Sequence, residues 1–318
     1  MSFIQQAFLG KNDWWRYLLT FFLLLFGWQV IGVIPITVVA FMKAGDLGTF
    51  MQSAENAFAN LGINANLYLF LMLLMFIIGL YFLFLGIRYI HQRAFKTVIT
   101  TREKIDLKRV IFAFLLWGTI SLVFFILGYI SEPELYTWNF KPIPFLILLI
   151  ISFTLLPFQT SFEEILFRGY AMQGFGLWFK NALIPLILTS VIFGLLHGFN
   201  PEVEKLGQIV MVYYIGTGLM FGICTLMDEG TELALGMHAA NNIIAAVLVT
   251  SDWMVFQTDA LWVDGSEPSA GMETFIPVFV VYPLVLLLFS KKYGWTNWRE
   301  KLTGPVLPLQ TEESELES

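Results

Sequence analysis

Three short clusters of polar side chains interrupt otherwise apolar sequence. The first is SFEEILFRGYAMQG, Ser161 to Gly174, which carries Glu163, Glu164 and Arg168. From Ile143 to Asn200 the only other formal charges are Lys180 and whatever His197 carries. A charged side chain at a bilayer centre costs about 2.5–3.5 kcal/mol on the gentlest scale, so three within six residues require a reason. On a helix Glu164 and Arg168 are i,i+4 neighbours and can pair. Glu163 lies about 100° round the helix from Glu164 and faces a different surface. The second cluster is FGLLH, Phe193 to His197, and the third is HAANN, His238 to Asn242. His238 and Asn242 share one helix face, whereas Asn241 points elsewhere and suits a simple interhelical hydrogen bond. Of the three histidines in the chain, only His91 lies away from these clusters. It falls in a basic loop and needs no further explanation there.

The chemistry open to these groups is hydrolysis. A glutamate in a low-dielectric site can take a proton from water and return it to a leaving amine. A neighbouring histidine helps to hold the water. A second histidine and an asparagine can donate to the developing oxyanion, at about 2.7–4 kcal/mol per donor. Two histidines and one glutamate would also make the ligand set of a catalytic zinc site, and that alternative stays open. Neither the H-E-x-x-H zinc signature nor a G-x-S-x-G nucleophile turn is present.

The elements that must position these residues are membrane helices. The hydrophobic fraction is 57% and only 13% of residues are charged, against roughly 45–50% and 25% in soluble domains. Stretches of about 20 apolar residues recur, enough to cross a hydrocarbon core of about 30 Å. The pattern predicts an all-α, polytopic helix bundle of about eight transmembrane helices with both termini cytoplasmic. Residues 1–16 form an N-terminal segment in which Trp14 and Trp15 read as an interfacial anchor. Residues 17–142 hold the first spans, at about Tyr17–Val39, Leu67–Leu85 and Val110–Ile130. Between the second and third lies loop 88–109, where Arg88, His91, Arg93, Lys96, Arg102, Lys104, Lys108 and Arg109 outnumber Glu103 and Asp106. The positive-inside rule places this loop in the cytoplasm. Residues 143–250 form the core that bears the three clusters, in spans starting near Ile143 and at about Ala182–His197, Gly207–Met227 and Glu232–Thr250. Residues 251–303 comprise an acidic outer loop and a last span, about Thr274–Phe289. Residues 304–318 read as a disordered acidic tail. A net charge of −6 gives no reason to expect a nucleic-acid partner, and the single cysteine, Cys224, reads as a small buried hydrophobe. No cleavable signal peptide and no internal repeat are evident.

Taken together, Glu163-Glu164-x-x-x-Arg168, Phe193-x-x-x-His197 and His238-x-x-x-Asn242 resemble the CPBP family of intramembrane proteases. That family includes the type II CAAX prenyl proteases and bacteriocin-processing or self-immunity proteins. The resemblance covers about residues 143–250. It implies an eight-helix glutamate-dependent endopeptidase with its site sunk in the membrane, acting on membrane-associated peptide or protein substrates in the lipid bilayer, and a location in a bacterial inner membrane. By the same resemblance Glu163 with His197 would activate water, and His238 and Asn242 would stabilise the oxyanion. Glu164, Arg168 and Phe193 would support them. No cofactor is expected; the metal-free form is favoured because no ligand set in the sequence demands a metal, with a divalent metal such as zinc kept as the alternative. Two other classes compete with this reading: a proton-coupled transporter using the buried Glu and His as a relay, and a non-catalytic scaffold or immunity protein that keeps the fold. The four reacting groups are expected to meet at one depth, in a polar cavity reached from the cytoplasmic side.

Overall fold

The computed structural model describes residues 1–271 and 274–308. The acidic tail expected from the sequence lies, from residue 309 onward, outside the described residues. Among the described residues five helical stretches are long and apolar enough to cross a membrane: α1 (Trp14–Ala44), α2 (Ala65–Ile90), α3 (Leu107–Ser131), α4 (Pro142–Phe179) and α6 (Gln208–Asp228). Two shorter apolar helices complete the site-bearing half, α5 (Leu183–Phe199) and α7 (Glu232–Leu248). A last helix, α8 (Tyr282–Tyr293), follows a π-helical stretch over Pro277–Val281. The protein is an integral membrane protein built mainly of helices.

Helices α3 and α7 lie side by side, as do α5 with α6 and α2 with α4, while α7 also packs along α4. Helix α4 therefore runs through the middle, with α2 on one side and α7 on the other. A large buried cluster (Ala113, Trp117, Phe221, Cys224, Met237, Ala240 and Tyr282 among its members) joins α3, α6, α7 and α8. Cys224 is fully buried within it, as expected of a small hydrophobe.

The all-α expectation needs one correction. The connectors after α3 and α7 form a small sheet ordered β1-β3-β2, from β1 (Tyr136–Trp138), β2 (Val249–Thr250) and β3 (Trp262–Asp264). Strands β1 and β3 pair antiparallel with Thr137 opposite Val263, and β2 lies parallel to β3 with Val249 opposite Trp262. The segments are β-branched and aromatic, so they pair once the helix ends bring them together. The sheet ties the entry of α4 to the exit of α7, the two helices that carry the acid pair and the second histidine.

A second correction concerns loop 88–109, which is far from a simple solvated positive stretch. His91 is fully buried, with Nε2 2.8 Å from the Tyr170 hydroxyl and Nδ1 2.8 Å from the Lys11 carbonyl. Arg93 is buried and donates to Gln173 Oε1 at 2.8 Å. Arg102 and Arg109 converge on the buried Asp228 at the end of α6, at 3.0 and 2.5 Å, and Arg102 also reaches Glu232 at 3.1 Å. The acidic partners lie about 120 residues downstream, so sequence proximity gave no hint of these pairs. Hydrogen-bonded and paired in this way, the loop becomes part of the folded body.

Helix α4 is 38 residues long and continuous. It accommodates the charged motif by a π-helical turn over Ile165–Ala171, immediately after Glu164. Such turns insert an extra residue into the helix and re-aim the side chains around it. At Gly169 within it, the absent side chain lets the Val98 carbonyl lie against the helix. Lys180, in left-handed conformation, then reverses the chain into α5.

Candidate active site

Glu164 and Arg168 are fully buried and paired, Nη1 to Oε1 at 3.0 Å, as their spacing on α4 predicts. The second guanidinium end donates to the Gly218 carbonyl on α6 at 3.2 Å. Helix α6 comes that close because residues 218 and 194 lack side chains: a Cβ on Gly218 would lie 2.8 Å from the Ser190 carbonyl oxygen. Small residues at such crossings are what let membrane helices approach one another. The Arg168 guanidinium also stacks over the Phe193 ring, 4.1 Å from its centroid, which adds a cation–π contact in a desolvated setting.

Glu164 does more than neutralise Arg168. Its Oε1 also lies 2.8 Å from Nδ1 of His238. On the other side of the imidazole, Nε2 faces Glu163 Oε2 at 3.5 Å. One histidine from α7 is thus gripped between two consecutive carboxylates of α4. A carboxylate paired to arginine can only accept, so Nδ1 carries the hydrogen and Nε2 is the nitrogen turned towards Glu163. At 3.5 Å the Nε2–Glu163 contact is too long for a direct hydrogen bond. Phe221 flanks the imidazole, ring centroids 5.4 Å apart, and Phe193 lies edge-on to it at 6.0 Å.

Asn242, one helical turn beyond His238, does not touch Glu163 directly. Its Nδ2 donates to Gln159 Oε1 at 2.9 Å, and Gln159 Nε2 donates to Glu163 Oε1 at 2.6 Å. Gln159 was missed in the sequence, although its position four residues before Glu163 puts it on the same helix face. The Oε2 atoms of Glu163 and Glu164 and Nε of Arg168 are buried without a hydrogen-bond partner among the described residues.

His197 stands apart. Its Nδ1 lies 2.7 Å from the carbonyl of Phe193, one turn back on its own helix. A carbonyl only accepts, so this nitrogen is the protonated one and Nε2 is the acceptor. The ring packs on Phe193 at 4.5 Å and stacks on Tyr214 at 4.7 Å. Among the described residues no hydrogen bond or ion pair joins His197 to Glu163. Phe193, between Arg168 and the two histidine rings, is the common wall. Glu163, His238 and Asn242 are therefore brought together, with Glu164, Arg168 and Phe193 around them, while His197 flanks the group across an aromatic ring.

The two ring nitrogens of His238 both face carboxylates. Among the described residues no group of three His, Cys, Asp or Glu is arranged to hold a metal ion. Just beyond the site, near His197, the carboxyl of Glu202 accepts from the backbone N–H of Val255 at 2.8 Å. Burial raises its affinity for protons above that of an ordinary glutamate.

Residues 139–244 match the family model described as type II CAAX prenyl endopeptidase Rce1-like. All seven motif residues, Glu163 through Asn242, fall inside that range. The chain is similar to the uncharacterized protein YyaK of Bacillus subtilis (strain 168), with 28% identity over 287 residues, covering 89% of this chain and 94% of that protein. No solved structure matches it. The family match supports membership of the CPBP group of CAAX-type proteases, the family that the three motifs resemble.

Proposed function

From the family match of residues 139–244 we propose that this protein is an intramembrane endopeptidase that hydrolyses peptide bonds of membrane-associated substrates with a water activated by glutamate and histidine. The observation that carries this reading is the grip of Glu163 and Glu164 on His238 inside apolar helices. The carboxylate of Glu163 takes a proton from the attacking water and later delivers it to the leaving amine. His197, with Nδ1 spent on Phe193, has Nε2 left to hold that water. His238, anchored through Nδ1 by Glu164, exchanges a proton with Glu163 when Nε2 and Oε2 close from 3.5 Å to hydrogen-bonding distance during the reaction and, once protonated there, donates to the tetrahedral oxyanion. The second N–H of the Asn242 amide is the other oxyanion donor. Arg168 pairs with Glu164 and holds it in place. No metal enters these steps.

On this reading the eight apolar helices all span the membrane, with both termini and the basic loop in the cytoplasm, the site opening to that side, and the host membrane a bacterial inner membrane. Helices α5 and α7, at 17 residues, rise about 25 Å, so residues at their ends and middles lie at bilayer depth. The substrate is a membrane-associated peptide or protein. A prenylated C-terminal peptide is the first to try, given the description of the matched family.

The test is cleavage in proteoliposomes of prenylated and unprenylated peptides by wild type, Glu163→Ala and Glu163→Gln. The expected result is turnover by wild type and loss of it in both variants, with unchanged thermal unfolding. A Glu163→Ala protein that cleaves as fast as wild type overturns the mechanism. A folded wild type that cleaves none of a broad peptide library points instead to the scaffold or immunity role.

A further inference from the structure

Trp117 of α3, far in sequence from the three motifs and outside the matched segment, connects to Glu163 through an unbroken line of side-chain hydrogen bonds. Trp117 Nε1 donates to Asn241 Oδ1 at 3.3 Å. Asn241 Nδ2 donates to Asn242 Oδ1 at 3.1 Å, and Asn242 Nδ2 to Gln159 Oε1 at 2.9 Å. Gln159 Nε2 ends the line on Glu163 Oε1 at 2.6 Å.

The direction of this line is dictated by chemistry. An indole N–H can only donate. Asn241 must therefore present its oxygen to Trp117 and its amide nitrogen to Asn242. The same reasoning fixes Asn242 and then Gln159, so that an N–H arrives at Glu163 Oε1. With Oε1 held as an acceptor, a proton on Glu163 has only Oε2 to occupy, and Oε2 is the oxygen turned towards His238 Nε2. Buried amide networks with one satisfied polarity are rigid for this reason.

We propose that Trp117, Asn241 and Gln159 are positioning residues that hold Glu163 Oε1 as an acceptor and confine its exchangeable proton to Oε2, facing His238. The proposal rests on Glu163 being the base of the reaction above. It also gives Asn241 a role beyond a simple interhelical contact, and it recruits α3 from the N-terminal half into the site.

Two variants cut the line with little change of shape. Trp117→Phe removes the starting donor. Asn241→Asp still accepts from Trp117 but has no N–H for Asn242. The carboxyl bands of Glu163 are assigned by infrared difference against Glu163→Gln, a readout that needs no substrate. Each variant is expected to shift those bands. In the cleavage assay each is expected to lower kcat about tenfold with KM within about twofold of wild type, the pattern of an interaction expressed in the transition state. The double variant is expected to be no slower than the slower single, because both cut the same line. Unchanged Glu163 bands in both folded single variants overturn the proposal, as do effects on kcat that multiply in the double variant. If Glu163→Gln itself cleaves normally, the protease mechanism fails instead, and the infrared result still decides whether the relay exists.

Discussion

At the scale of single residues, the sequence alone singles out the groups that carry charge in apolar surroundings, and their roles then follow from what each atom touches. In the proposed mechanism Asn242 keeps one amide hydrogen for the reaction while its other bonds orient it. Asn242→Ala is expected to reduce kcat by about 10²–10³-fold with little change in KM, measured on the same peptide as wild type. Glu164 and Arg168 behave as a unit. Arg168→Met leaves a fully buried carboxylate with no cation, and the expected loss of stability is about 3–5 kcal/mol. Adding Glu164→Gln is expected to restore much of it, since the orphaned charge is gone. Thermal unfolding of the two single variants and the double variant checks this, and strict additivity of the three values would contradict it.

At the scale of elements, the site depends on how closely α4, α5 and α6 approach and on the π turn that follows Glu164. Gly218 serves twice: its carbonyl takes Arg168, and its missing side chain admits the Ser190 backbone. Gly218→Val is expected to destabilise the protein by about 1–3 kcal/mol and to lower activity, because α6 must move off α5 and withdraw the carbonyl from Arg168. A Gly218→Val protein as stable and active as wild type would show that the close crossing is dispensable. The helix boundaries were largely legible in the sequence, since apolar runs bounded by polar or Gly/Pro segments admit few alternatives. The π turn and the small sheet were not. Each depends on partners, the Val98 carbonyl in one case and a strand more than 100 residues away in the other.

At the scale of the whole molecule, the N-terminal segment, loop 88–109, the end of α6 and the segment after α8 lock together through buried polar groups. Asp228 gathers Arg102, Arg109 and the Trp295 indole, which donates at 3.0 Å. The backbone N–H of Phe3 and the Lys301 amine both reach Glu229. His91 pins the start of α1 to α4 by bridging Lys11 and Tyr170. Burial pushes the pKa of His91 down from 6.5 to about 4. The unfolded chain therefore binds a proton at this position between those values while the folded one does not. Stability from this source is complete above pH 6.5 and is lost as pH falls towards 4. Unfolding midpoints measured across that window are expected to fall with pH, and to fall less steeply in His91→Gln. An equal slope in the variant would assign the dependence to other groups.

The sequence by itself determined that the chain enters a membrane, where its main helices lie, and which charged and polar residues resist explanation as lipid-facing decoration. These follow from hydropathy and helical spacing, which are local properties. Only the tertiary structure decided which of those residues meet. It gave His238 to both glutamates and packed His197 against Phe193 and Tyr214. It also linked Glu163 to Trp117 through Gln159 and Asn242, and it buried His91 and the arginines of the basic loop. Those outcomes depend on which helices pack side by side and on the direction in which donors must point to acceptors, neither of which a one-dimensional pattern encodes.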